Sequence, residues 1–321
     1  MGNAIVAVIG QLGYAAGLGK KSTSTDITMY DVKKGEETVT FVEPTRYPER
    51  LAPLFFATSM AQKAIVVVDE LNAAFGECAV ILQCSGMNKG YFVLRNYMTR
   101  EKIAPLIKGT NLENFEFIED NPTLLREKLL AEAAQEKPAE ASARTEGTVL
   151  IDHSFNVKGV GVVILGVVTN GTVMKHDQMR VLPGAKIAQV RSIQKHDDEF
   201  DVASEGDRVG LALKNVDIQD LERGTTLTTD PTIKTTKSLE TTVDLVRYWA
   251  TPIKSGMGLH IGHGMQFAPC KADSVTDEGD WRKPTVTLKM EKEFVYRPGD
   301  RAVVTYLEGG KLRVAGTLSL P

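Results

Sequence analysis

The segment Phe155-Asn-Val-Lys-Gly-Val-Gly161 begins the part of the chain that decides the fold. Gly159 and Gly161 permit a tight start to a strand, where a Cβ atom would clash or force an unfavourable φ. Further short blocks follow in order: Val162–Leu165, Gly171-Thr-Val173, Val190-Arg-Ser-Ile-Gln194, Gly206-Asp-Arg-Val-Gly210 and Leu221-Glu-Arg-Gly-Thr225. Gly206-Asp207 is typical of a hairpin turn in which the aspartate caps its own backbone. Together the blocks predict a small β-barrel.

The β pattern extends on both sides of these blocks. The expected strands of this barrel are Val149–Ile151, Gly161–Val168, Gln178–Leu182, Ile187–Ile193 and Arg208–Leu213. Turn sequences such as Asn170-Gly171 and Pro183-Gly184 separate them. Beyond a boundary at Thr229–Lys234, a further set of runs predicts a second barrel, with strands at Leu239–Trp249, Leu259–Ile261, Pro284–Met290 and Ala302–Leu307.

Residues 4–135 have a different periodicity, in which β-branched runs alternate with longer amphipathic ones. Four runs predict buried parallel strands, at Ala4–Ile9, Thr38–Val42, Ala64–Val68 and Tyr91–Leu94. Helices are expected between Pro48 and Ala61, from Ala73 to Cys84, after Thr99, and over Leu124–Ala134 behind the capping pair Asn121-Pro122. Strands that alternate with helices predict a doubly wound α/β domain.

The predicted fold class is α/β followed by all-β, with a doubly wound domain and two small β-barrels. The run Lys137–Arg144 has no large apolar residue and predicts a linker between the two parts. The expected division is an α/β domain at residues 1–137, a linker at 138–145, one barrel at 146–231 and another at 236–321.

The composition is that of an ordinary globular protein, with 42% hydrophobic residues and a formal net charge of -3. This charge argues against a strongly basic DNA-binding protein, although a local patch could still contact RNA. The cysteines Cys78, Cys84 and Cys270 are too few and too scattered for a disulfide framework or a zinc site, which favours the reducing cytoplasm. No apolar run reaches the roughly 18 residues that span a bilayer, so no membrane partner is expected.

The ordered blocks of the first barrel resemble the second domain of translational GTPases of the elongation factor Tu type. They are particularly similar to the archaeal selenocysteine-specific branch. Three blocks resemble the third domain of that family: Thr251-Pro-Ile-Lys254, Leu259-His-Ile-Gly262 and Arg297-Pro-Gly-Asp-Arg301. The resemblance implies a P-loop-NTPase-like scaffold for the first domain, a role in translation, and tRNA or the ribosome as partner.

A working GTPase domain needs a phosphate loop of the form G-x-x-x-x-G-K-[ST] after its first strand. The corresponding segment, Gly10–Ser22, is GQLGYAAGLGKKS. When the motif is counted from Gly10, Ala15 stands where the second glycine is required. When Lys21-Ser22 is taken as the K-[ST] pair, Lys20 and Ala15 stand at the two glycine positions. Neither alignment of the motif therefore fits. A glycine-rich loop can still bind an anion, and the nucleotide-binding candidates are Gly10, Gly17, Gly19, Lys20, Lys21 and Ser22. GTP and Mg²⁺ are expected as cofactors only if this divergent loop still binds them.

The other GTPase motifs are also altered. Where the family has an Asp, followed three residues later by a Gly whose amide approaches the γ-phosphate, this chain has Glu43 and Arg46. Tyr47 stands at the position of the water-positioning histidine. Where the guanine-binding motif is expected, Arg95-Asn-Tyr-Met98 offers no carboxylate. The sequence therefore predicts a GTPase scaffold without its chemistry, and no catalytic residue or metal ligand is assigned.

The resemblance also implies a binding site on the second domain. In this family the second domain helps to form the pocket for the aminoacyl end of tRNA, and the matching wall positions are Gln194, His196 and Arg208. The alternative is a surface histidine and a solvated arginine on a barrel rim. The neighbouring carboxylates of residues 197–199 would repel a phosphate backbone.

A second interaction segment is expected at Arg46, Tyr47 and Arg50, which are either a rebuilt binding surface or a loop that caps the next helix. Three functions remain open at this point. The first is an elongation-factor-like translation protein that binds tRNA or the ribosome through its barrels without intact GTP-binding motifs. The second is a divergent but active GTP-binding factor, and the third is a scaffold that partners a translation factor or another protein.

Overall fold

A computed structural model of the chain describes residues 2–135 and 146–321, so the expected linker at 138–145 lies outside the described residues. The first part contains the strands β1 (Asn3–Ile9), β2 (Lys20–Ser24), β3 (Thr28–Lys34), β4 (Glu37–Glu43), β5 (Lys63–Val68), β6 (Gly90–Leu94) and β7 (Glu116–Ile118). Its helices are α1 (Ala52–Met60), α2 (Ala73–Cys84), α3 (Arg100–Ile107) and α4 (Pro122–Gln135). Within the described ranges no helix is long and apolar enough to cross a membrane.

The seven strands form one sheet in the order β2-β3-β4-β1-β5-β6-β7. Strands β4, β1, β5, β6 and β7 are parallel, and β2 and β3 join them antiparallel at one edge. Alternate residues of β1 enter two cores: Ile5 packs with α1 and α2 on one face, and Val6 packs with α4 on the other. The predicted doubly wound domain is confirmed, and coverage on both faces explains the unbroken apolar strands.

The capping pair ahead of α4 acts as its sequence indicates. The Oδ1 atom of Asn121 accepts a hydrogen bond from the Leu124 amide at 3.2 Å, and Pro122 is the first helical residue. The hairpin of β2 and β3 was not predicted from the sequence. Strand β2 is a polar edge strand with the sequence KKSTS, and it has no apolar alternation by which a strand would be recognised.

The second part is a β-barrel with a short appended ribbon. Its strands are β8 (Thr148–Val157), β9 (Gly161–Asn170), β10 (Thr172–Met174), β11 (Gln178–Leu182), β12 (Ile187–Lys195), β13 (Asp198–Phe200), β14 (Val202–Ser204), β15 (Arg208–Lys214) and β16 (Thr226–Thr228). Six of them close a ring in the order β11-β16-β8-β9-β15-β12, because β12 pairs back onto β11. All five runs expected in this barrel are strands.

The third part is a closed barrel in the order β17-β20-β19-β18-β21-β22. The strands are β17 (Lys234–Leu245), β18 (Gly258–His263), β19 (Gln266–Thr276), β20 (Thr285–Tyr296), β21 (Arg301–Thr305) and β22 (Val314–Ser319). The expected strand at Leu239–Trp249 ends earlier, at Leu245, and the buried Trp249 lies in a turn. Strands β19 and β22 were missed, because their few apolar residues are interrupted by polar residues, Pro269 and Gly316.

Helix α1 packs the first domain against the third. The ring of Phe55 lies 5.8 Å from that of Phe267 in β19, and it covers Gly262 of β18. Ser59 donates a hydrogen bond to the carbonyl of Gly264 at 2.8 Å. The Phe55 ring can approach the strand this closely only because Gly262 has no side chain.

We expect Gly262→Ala to destabilise the protein by about 1–3 kcal/mol, since overpacking a fitted contact costs that much. A Cβ atom on Gly262 would lie 2.6 Å from Cε2 of Phe55, so the ring or the strand must move. Gly258→Ala is the matched control, because a Cβ atom there meets nothing within 4 Å on the same strand. Urea unfolding of both variants measures the difference, and equal midpoints would contradict the packing described.

Candidate functional site

The loop after β1 lies at the carboxyl edge of the sheet, where a doubly wound domain binds its ligands. Gly10 has φ +101°, and a Cβ atom there would lie 2.0 Å from the carbonyl oxygen of Val67. The chain then forms a single four-residue 3-10 helix, Tyr14–Gly17, before it enters β2. This short turn takes the place of the longer helix whose N-terminus binds phosphate in a P-loop.

The amides of this loop already have an internal acceptor, Glu43 at the end of β4. Its Oε1 atom accepts hydrogen bonds from the Gly13 amide at 2.8 Å and the Ala15 amide at 3.3 Å. The side chain is almost fully buried. Burial raises the pKa of Glu43, while the amide hydrogen bonds oppose this shift. A carboxyl group of the protein therefore occupies donors that a phosphate loop presents to its ligand.

A second internal group, Arg95 after β6, ties together the loops at the same edge. Its Nε atom lies 3.1 Å from Oδ2 of Asp120 and 3.7 Å from Oδ1 of Asp69, and its Nη1 atom donates to Gln11. The Tyr14 hydroxyl donates to the other oxygen of Asp120 at 3.0 Å. Loops that follow β1, β5, β6 and β7 are thus cross-linked where a nucleotide would lie. Sequence reasoning noted the substitutions at residues 43 and 95–98 but not these contacts.

The structure separates Gly10 from the other nucleotide-binding candidates. Gly10 remains at the carboxyl edge, whereas Lys20, Lys21 and Ser22 lie in β2 at the edge of the sheet. The Ser22 hydroxyl donates to the Met29 carbonyl at 3.3 Å. Pairing with β3 draws these residues into an antiparallel hairpin, so they do not form a loop at the end of β1.

Lys20 and Lys21 instead line a cleft between the first domain and the first barrel. The cleft has a volume of about 770 Å³, and Gly17, Gly19 and Ser22 also line it. We call it the basic cleft, since its charged lining residues are Lys20, Lys21, Lys33, Arg126 and Arg208 against Asp31 and Asp197. The aminoacyl-end candidates Gln194, His196 and Arg208 all line the same cleft. Two candidate sets that are far apart in sequence are thus brought together.

Arg208 is buried and already paired inside the barrel. Its Nη1 atom bonds Oδ2 of Asp152 in β8, and its Nη2 atom lies 3.4 Å from Oδ1. The arginine is therefore not a solvated rim residue, and its charge is balanced by Asp152. Its sequence position indicated a pocket wall, but the partner carboxylate could not be inferred from spacing.

His196 and Asp197 form the two-residue turn between β12 and β13. Both have positive φ values, +48° and +71°, as a type I′ hairpin turn requires. Non-glycine residues at positive φ are uncommon. Burial lowers the pKa of His196, which favours the neutral form of its ring. Its Nε2 atom is buried and makes no hydrogen bond to any described residue.

The residues of the expected interaction segment after β4 differ in solvent exposure. Arg46 and Arg50 are exposed, but Tyr47 is buried and donates a hydrogen bond to the Ala74 carbonyl at 3.0 Å. Tyr47 is therefore a packing residue and not part of an exposed binding surface.

The three cysteines are free and buried.

Comparisons with known proteins agree with this architecture. The family model for elongation factor Tu domain 2 matches residues 161–228. An uncharacterized protein of Methanocaldococcus jannaschii is 36% identical over 313 residues, covering 96% of this chain and 97% of its own. The selenocysteine-specific elongation factor of that organism is 29% identical over 176 residues.

The chain belongs to the translational GTPase family of the elongation factor Tu type. The match to the selenocysteine-specific factor covers 49% of this chain and 37% of that factor. The fold of this family member also superimposes on translation elongation factor SelB from Methanococcus maripaludis in complex with the GTP analogue GppNHp. That likeness has a TM-score of 0.80 at 22% identity, covering 99% of this chain and 79% of the other.

Proposed function

We propose that this family member is an elongation-factor-like translation protein of the cytoplasm that binds tRNA or the ribosome through its barrels, without using GTP. The observation that carries the proposal is the bond between the Glu43 carboxyl group and the amides of Gly13 and Ala15. Backbone amides cradle phosphate in a P-loop, and here they are already satisfied.

The surrounding residues support the same conclusion. The Arg95 cluster bridges the loops over which a nucleotide would lie. Arg46 is exposed at the position where the family has a glycine, and its amide donates a hydrogen bond to the Asp26 carbonyl at 3.2 Å, so it is not free for a γ-phosphate. Phosphoryl transfer depends on positioning and on a bound metal ion. These substitutions remove the groups that would hold the phosphate groups and the metal ion in place.

RNA is the partner class that the charge distribution favours. The net charge of the chain is -3, yet five cationic side chains line the basic cleft against two carboxylates. Local cationic clusters of this kind contact the phosphates of nucleic acids. The named relatives are elongation factors, which supports tRNA or the ribosome over other RNA, and a further protein partner from the translation machinery is compatible with this role.

We expect purified protein to bind tRNA in filter-binding titrations at low salt with an affinity that GTP or GDP plus Mg²⁺ leaves unchanged. The physical reason is that Glu43 already accepts hydrogen bonds from the amides of Gly13 and Ala15, which a nucleotide phosphate would need. Absence of affinity for both tRNA and ribosomes would refute the proposal. An affinity that rises with GTP and falls with GDP would establish a divergent but active GTP switch instead.

A further inference from the structure

We propose that a groove where the three domains meet binds an extended, basic segment of a partner protein. This surface is separate from the basic cleft, and its occupation does not depend on RNA binding. Phe56 of α1, Arg223 of the first barrel and Phe267 of the second barrel line the groove, which has a volume of about 690 Å³. We call it the acidic groove, and its lining also includes residues 183–186, 222–225, 265–269 and 291–293.

The floor of the acidic groove is apolar and aromatic. The rings of Phe56 and Phe267 lie edge to face, with their centroids 6.4 Å apart. Phe267 and Ala268 are partly exposed, and Pro269 beside them is exposed. Apolar surface in a concave site gives an anchoring position to an aromatic or aliphatic side chain of a protein partner.

The strands β19 and β20 separate along one side of this floor. Their pairing ends at Cys270 and Met290. Beyond that point the side chain of Gln266 accepts from the Val295 amide at 2.9 Å and donates to the Val295 carbonyl at 2.7 Å, in place of a backbone pair. Residues 267–269 and 291–293 therefore lie on the two sides of a gap in the ladder. An extended peptide can add to such an edge through its own backbone.

Two cations that line the acidic groove are already neutralised. Lys186 lies 2.8 Å from Oδ2 of Asp220, and Arg223 lies 2.6 Å from Oδ1 of Asp26. Their charges are therefore not available to an anionic partner.

The remaining charges of the groove decide the sign of its partner. Glu222, Glu291 and Glu293 are exposed, and none of them has an ion-pair partner within residues 2–135 and 146–321. Lys292 is the single cation of the described lining that is likewise unpaired. A net negative rim repels the phosphates of RNA and attracts the lysine and arginine side chains of a protein.

The test uses a fluorescein-labelled heptapeptide with lysine at its odd positions and valine, phenylalanine and valine at its even ones. In an extended chain this pattern places the apolar side chains on one face and the lysines on the other. An otherwise identical acidic peptide has glutamate in place of each lysine. Fluorescence anisotropy with the full chain at low salt should show binding of the basic peptide alone. Its affinity should fall as salt is added, because exposed charges are screened.

The triple variant Glu222→Gln/Glu291→Gln/Glu293→Gln should bind the basic peptide about tenfold less tightly. Lys292→Gln should bind it more tightly, since the variant removes the opposing cation. The matched control is a second triple variant with the same change in net charge at exposed, unpaired carboxylates outside the groove, Glu36→Gln/Glu113→Gln/Glu278→Gln. All of these side chains are exposed, so the fold tolerates the changes.

A basic peptide with N-methyl groups on alternate residues tests the backbone contribution. It should bind about tenfold less tightly than its parent, because it lacks the N–H donors with which an added strand pairs. Equal affinity of this peptide and its parent would show that no strand is added, and would overturn the inference.

Three further results would overturn it: no binding of the basic peptide, equal binding of the acidic peptide, or equal weakening by the two triple variants. The last two would show that charge attraction is not confined to the groove. Filter binding of tRNA should give the same affinity for both triple variants, so the proposed RNA binding stands or falls separately.

Discussion

Glu77→Ala is expected to lower the free energy of unfolding by about 3 kcal/mol, because it breaks a largely buried ion pair and leaves the half-buried Arg313 without its partner. Glu77 of α2 is only 3% exposed and accepts three hydrogen bonds from Arg313, which precedes β22. The Nη2–Oε2 distance is 2.6 Å and the backbone amide distance is 2.8 Å. Urea unfolding measures the loss in free energy of unfolding. Part of this loss reflects a weaker contact between the first and third domains, which Glu77 and Arg313 join.

Two further variants test the cause of this loss. Glu113→Ala removes an exposed carboxylate that has no ion pair within the described ranges, and it should change stability by less than about 0.5 kcal/mol. The double variant Glu77→Met/Arg313→Leu should recover much of the loss, since apolar residues of similar volume can replace a buried pair. A Glu77→Ala protein as stable as Glu113→Ala would show that the pair is not formed in solution.

Glu43→Ala should destabilise the protein by about 2 kcal/mol and create a small anion site in the loop after β1. The substitution leaves the buried Ala15 amide without an acceptor, which costs about 1–3 kcal/mol, and it also opens space beneath the loop. Added acetate should therefore raise the midpoint of thermal unfolding in a saturable way, because it can restore the lost carboxyl group.

Two other substitutions in β4 serve as controls for the effect of acetate. Glu37→Ala removes a carboxylate from the other end of the strand, one that has no hydrogen-bond or ion-pair partner within residues 2–135 and 146–321, and acetate should not affect it. Glu43→Gln keeps one oxygen acceptor, so a smaller loss is expected. If acetate and chloride at equal ionic strength shift Glu43→Ala equally, the loop amides are not the binding groups.

Polar contacts also join the three domains to one another. Arg223 of the first barrel donates to Asp26 of the first domain at 2.6 Å, and its guanidinium lies 5.0 Å from the centre of the Phe56 ring. Arg297 of the second barrel bonds Asp230 at 2.7 Å. These contacts fix the first barrel against the first domain and against the second barrel.

Much of the fold was predictable because its signals are local. The β-branched runs at Ala4–Ile9 and Ala64–Val68 specify strands that are covered on both faces. Asn121-Pro122 specifies the start of α4, because the Asn121 side chain accepts a hydrogen bond from the Leu124 amide and Pro122 has no backbone N–H that needs an acceptor. The hairpin of β2 and β3 was not predictable in this way, since polar edge strands have no apolar period.

The candidate site was only partly predictable. The sequence named Gln194, His196 and Arg208 through family resemblance, and the structure places all three in one cleft. It placed Lys20 and Lys21 among the nucleotide-binding candidates of a divergent glycine-rich segment, and the structure places them in β2, where they line the cleft beside the first barrel. The acceptor role of Glu43 and the cross-link made by Arg95 were not visible as a motif.

The sequence by itself determined the order of the α/β domain and the two barrels and most of the strands and helices, and it predicted a GTPase scaffold without intact motifs. Tertiary structure alone decided that Glu43 satisfies the loop amides and that Lys20 and Lys21 share a cleft with His196. The physical reason is the range of the forces involved. Periodicity and capping act within a few residues, whereas these contacts join residues that only sheet pairing and domain packing bring together.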